Sequence, residues 1–171
     1  MASLIEELIE TLNKENDEYV KLLDLTRRKS AAIVGRDIPA IEKITDDEQI
    51  VMSAIGNLDA KRAQVTRDIA NVINKDVETL KLSVLIDLLS KQPEEQRALS
   101  EVHDKLKVTV GSVRQVNESN RQLIEQSLEM VEFDLNMIRS MRQAPETNNY
   151  GPGAVSVGET LGSVRGFDAK Q

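Results

Sequence analysis

The sequence predicts an all-α protein: an antiparallel coiled-coil bundle of long helices with a disordered C-terminal tail. Three observations predict it. Apolar residues recur at spacings of three, four and seven over most of the first 142 residues. Glycine and proline crowd the C-terminus, with Gly151, Gly153, Gly158, Gly162 and Gly166 beside Pro145 and Pro152. Aromatic residues are 2% of the 171 positions, so the core must be built from aliphatic side chains, which suits helical seams. The domain reading is a helical bundle over 1–142 and a flexible tail over 143–171.

The first helix is expected at about residues 3–34. Ser3 with Glu6 three residues later makes a capping box. Ile5, Leu8, Leu12, Tyr19 and Leu22 form one apolar face, and Gly35 is a natural C-cap. The second helix is expected at 37–74, with Asp37 as cap and Pro39 in the first turn. Its seam is the most regular: Ile41, Ile44, Val51, Ile55, Leu58, Val65, Ile69 and Val72, with Glu48 and Arg62 as polar interruptions. A short helix at 83–90, capped by Asp76 or Ser83, redirects the chain. The last helix is expected at 93–142 and would be about 75 Å long. Its seam runs Leu99, Val102, Leu106, Val113, Val116, Asn120, Leu123, Ser127, Met130, Met137 and Met141. Gly111 inside it marks a kink or a close helix contact.

Composition excludes several function classes. The net charge is -7, which argues against a nucleic-acid or anionic-membrane binder. No window is apolar enough to span a bilayer, and the acidic start does not resemble a signal peptide, so the expected location is cytoplasmic. Cysteine is absent and histidine occurs once, which leaves no thiolate site and no multi-histidine metal site in one chain.

His103 is the one candidate for proton or phosphoryl chemistry near neutral pH. A phosphotransfer histidine on a four-helix bundle would carry Lys and Gly three and four residues on. Here Leu106 and Lys107 stand there, so the match fails. The pairs Glu6-Glu7, Asp46-Asp47 and Glu94-Glu95 read as solvated or dipole-compatible charges. Glycines of the tail follow no strand and lack the Lys-Ser/Thr of a phosphate loop. The reading is therefore a protein that is not an enzyme and holds no cofactor or metal.

What remains is surface. Ile124, Leu128, Val131, Leu135 and Ile138 make a second apolar stripe beside the seam of the last helix. Such a helix either sits deep in a bundle or docks a further helix. Met130, Met137 and Met141 suit packing that accepts more than one partner. From the pattern alone, coverage of this stripe by the first helix and exposure to a partner are equally open.

The segment Val116-Asn117-Glu118-Ser119-Asn120-Arg121-Gln122-Leu123-Ile124-Glu125-Gln126-Ser127-Leu128 resembles the FlgN family of flagellar export chaperones. Tyr150-Gly151-Pro152-Gly153, Gly166-Phe167-Asp168-Ala169-Lys170 and the run around Leu85, Leu88 and Leu89 are similar to the same group. The resemblance is carried by roughly the last 90 residues. It implies a cytoplasmic chaperone that binds hook-associated proteins of the hook–filament junction and delivers them to the flagellar type III export gate. It also implies cargo contacts in the C-terminal helical region: Leu123, Ile124, Leu128, Val131 and Leu135, with Tyr150 as a tail contact to cargo or gate. The alternative is a coiled-coil scaffold that forms a homodimer through the second-helix seam.

Overall fold

A computed structural model describes residues 2–77 and 80–143. The chain divides into two compact units, Met1–Val131 and Glu132–Gln171. Four helices appear in order: α1 (Ala2–Val34), α2 (Ile38–Ile73), α3 (Leu82–Leu88) and α4 (Pro93–Gln143), with a 3-10 turn at Leu89–Lys91. The expected tail beyond Gln143 lies outside the described residues.

Local chemistry sets the turn between α1 and α2. The Asp37 side chain accepts from the Ala40 amide at 3.1 Å, and Pro39 occupies the first turn of α2. Upstream, Arg36 N donates to the Ile33 carbonyl and Asp37 N to the Ala32 carbonyl, which closes α1 with a Schellman pair of bonds. The left-handed residue of this motif is Arg36, at φ 53°, and not the preceding glycine. Gly35 sits one position too early in the motif to need that conformation. Asn74 plays the same part at the end of α2, at φ 52°.

Two further capping expectations are corrected. Helix α1 already includes Ser3, so Ser3 is not its cap. Helix α3 begins after Lys81 with no side-chain cap, and Ser83 lies inside it. Instead, Gln96 Nε2 donates to the Ile86 carbonyl at 2.9 Å and ties α3 to the first turn of α4.

Cross-links give the helix directions. Glu7, Glu15 and Lys29 of α1 pair with Lys61, Arg62 and Glu48 of α2, so these helices are antiparallel. Asn16, Ser30 and Arg36 meet Thr109, Asn120 and Met130 of α4, so α1 and α4 run in the same direction. Helix α2 is thus antiparallel to both, and the α3 segment joins the end of α2 to the start of α4.

The main core sits at the end where α1 begins. Ile5, Leu8 and Leu12 pack with Val65, Ile69 and Ala70, with Leu80, Leu85 and Leu89, and with Leu99, Val102 and Leu106. A smaller cluster of Leu22, Ile55 and Val113 follows. Val72 was expected on the α2 seam but is exposed, while Ile73 packs against the core. A straight helix drifts about 20° per heptad, which moves the buried face on by one residue. An added Cβ at Gly111 would meet nothing within 4 Å, so no close helix contact requires that glycine.

Candidate partner-binding face

Beyond Val113 the bundle changes chemistry. A polar layer crosses all three long helices. Ser30 Oγ donates to Asn120 Oδ1 at 2.6 Å, and Asn120 Nδ2 donates to the Thr26 carbonyl at 3.0 Å. Thr26 Oγ1 donates back to the Leu22 carbonyl at 2.8 Å and lies 3.2 Å from Glu48 Oε1. Lys29 Nζ closes the layer on Glu48 Oε2 at 2.8 Å. Asn120 and Thr26 are buried, so the bond between them is made away from water, where an unmade one costs about 1–3 kcal/mol. Both Asn120 and Glu48 stood out in the sequence as polar breaks in apolar seams. Thr26 did not, because a threonine on a helix is not by itself a burial signal.

Above this layer the seam of α4 fades. Leu123 and Ser127 are half-buried, and Met130 is exposed. The reason is the end of α1. Its register with α4 places Val34 opposite about Ser127. Within the first unit α4 next meets the turn that follows α1, where Arg36 Nη2 lies 2.8 Å from Met130 Sδ. The expectation that Met130, Met137 and Met141 belong to a buried seam is corrected: all three are exposed.

The second stripe is open. In the first unit Ile124, Leu128 and Val131 are 42%, 59% and 45% exposed. They stand four and three residues apart and share one side of the helix. Leu123 belongs to the half-buried seam rather than to this side. The described part of the second unit, residues 132–143, has its own exposed apolar residues: Phe133, Leu135, Met137, Ile138 and Met141. Tyr150 lies outside the described residues. The first helix therefore does not cover Ile124, Leu128 and Val131. All three are about half covered already, so burying the rest of each is worth about half of the 1.5–3 kcal/mol of a fully exposed side chain, a real driving force for a partner.

Ionisable groups elsewhere are arranged for structure. His103 is half-buried, with Nδ1 3.2 Å from Asp104 Oδ1. Among the described residues no group of three or more His, Asp or Glu could hold a metal ion. Among the described residues Glu15 is the one buried carboxylate. Burial raises its pKa above the ordinary value, the nearby Arg62 opposes this, and Asp59 adds to it. Its Oε2 receives no hydrogen bond, with Arg62 Nε 3.5 Å away. Tyr19 is raised as well, by burial first and then by Glu15. No helix among the described residues is long and apolar enough to cross a membrane.

A helical bundle with a polar layer, an open apolar face and these structural charges is the frame of a binding protein. A family model described as FlgN protein matches residues 1–156, so the chain belongs to the FlgN family. That is a family of flagellar export chaperones and not of enzymes. The match takes in α1 and α2, which in the sequence read only as generic long helices, and extends past Gln143. No curated protein and no solved structure matches the chain.

Proposed function

We propose that the chain is a cytoplasmic chaperone of hook-associated proteins, which it keeps from premature assembly and delivers to the flagellar type III export apparatus. The observation that carries this reading is the uncovered side of α4, Ile124, Leu128 and Val131, in a chain of an export-chaperone family. An amphipathic terminal segment of a junction protein would lay its apolar face there, with Leu123 at the edge. Leu135 of the second unit and Tyr150 are proposed as further contacts, Tyr150 to cargo or to the export gate.

The energetics suit a carrier. Ordering a disordered segment on binding costs about 2–5 kcal/mol or more of the gross interaction energy. An affinity of about -8 to -10 kcal/mol, micromolar to submicromolar, protects cargo and still permits release. Calorimetric titration with each hook-associated protein of the same genome, and with flagellin as control, tests the reading. Saturable binding of a hook-associated protein, lost in Leu128→Glu with helicity retained, is the expected result. If none of them binds and the chain self-associates instead, the scaffold reading replaces it.

A further inference from the structure

The turn between α1 and α2 carries three features that the chaperone reading leaves unused. Arg36 holds a left-handed backbone, φ 53°, in a position where glycine or asparagine is usual. A non-glycine residue kept in that conformation is a pointer to a side chain that is needed. Its guanidinium is exposed and meets the Met130 thioether. On either side of it Val34 and Ile38 are 69% and 60% exposed, so apolar surface flanks the charge.

Contact with Met130 also fixes where this turn lies. Leu128 and Val131 are within two residues of Met130, about 3 Å along the helix axis. The cation therefore sits at the axial level of Leu128 and Val131, on the adjoining Met130 side of α4. Nearby on α4, Glu125 is paired with Arg121, and Glu129 is close by in the sequence.

We infer that Arg36, flanked by Val34 and Ile38, is a charge-reading contact for the partner. It selects an amphipathic helix that carries a carboxylate beside its apolar face. The inference rests on the chaperone reading, because it takes the partner to be the hook-associated protein. A guanidinium reads a carboxylate through two parallel N–H donors, so it adds orientation as well as attraction. At the edge of an apolar contact such a charge sets partner choice and encounter rate more than total affinity.

The test is titration of the hook-associated protein into wild type, Arg36→Glu, Arg36→Lys and Arg36→Gly, at low and high salt. Arg36→Glu should weaken binding about tenfold or more at low salt, and the deficit should shrink at high salt, where the new repulsion is screened. Arg36→Gly, which relieves the backbone and so folds at least as well, should weaken it several-fold. Arg36→Lys should retain most of the affinity. If Arg36→Glu and Arg36→Gly bind as wild type does while Leu128→Glu fails to bind, the inference is overturned and the chaperone reading stands. If wild type binds no hook-associated protein, both fall.

Discussion

Two stretches of α4 within the first unit have similar apolar spacing and opposite fates. In the first, Leu99, Val102, Leu106 and Val113 are buried among α1, α2 and α3. In the second, from Val116 to Val131, Asn120 is buried through hydrogen bonds, Leu123 is half-covered, and Ile124, Leu128, Met130 and Val131 face solvent. Periodicity states which side chains share a face of a helix. Whether that face is covered depends on where the neighbouring helix stops, and α1 stops at Val34.

The difference can be broken at several points. Leu99→Ala opens a cavity in the fully buried stretch and should cost about 2–5 kcal/mol in chemical unfolding. Leu128→Ala should change the same measurement by about 0.5 kcal/mol or less. Equal costs would mean that the second stretch is packed after all. Asn120→Ala removes one donor and one acceptor from the polar layer and leaves Ser30 Oγ only its bond to the Thr26 carbonyl. A loss of about 1–3 kcal/mol is expected, with hydrogen exchange rising first in α4 beyond residue 113.

Glu15→Gln sharpens the comparison from the packed side. Because burial raises the folded-state pKa of Glu15 above its ordinary 4.5, the folded chain binds more protons than the unfolded one just above that pH. Stability from this group is complete below pH 4.5 and is lost as pH rises through the raised folded value. The glutamine variant should therefore gain on wild type as pH goes from 4 to 7. A constant difference across that range would show that Glu15 is not desolvated. Gly111→Ala, near the boundary between the two stretches, meets no atom within 4 Å and should add about 1 kcal/mol without altering partner binding.

Much of the fold was legible. Asp37 and Pro39 announce the start of α2, and Glu48 and Arg62 interrupt its seam where α1 supplies Lys29 and Glu15. The positions of the polar partners were visible, but their identity was not, since pairing across helices depends on register. Seam reading failed at Val72 and Met130, where helical drift and the end of α1 decide burial. The uncovered side of α4 was visible as a stripe, and only the length of α1 relative to α4 shows that Ile124, Leu128 and Val131 are open. Arg36 gave no signal, because Gly35 beside it offered the expected answer to the same turn.

The shared direction of α1 and α4 has a consequence in time. The α1–α2 pair is complete once Ile73 has been made, and the side chains that close the main core, Leu99 to Leu106, arrive about 30 residues later. At about 5–20 residues per second, that delay is about 1.5–6 s of synthesis. Throughout it Ile5, Leu8, Leu12, Val65 and Ile69 have at most Leu80, Leu85 and Leu89 against them, and the α4 side of the core stays open. A nascent chain is thus briefly in the condition in which Ile124, Leu128 and Val131 stand permanently, an apolar surface waiting for a helix.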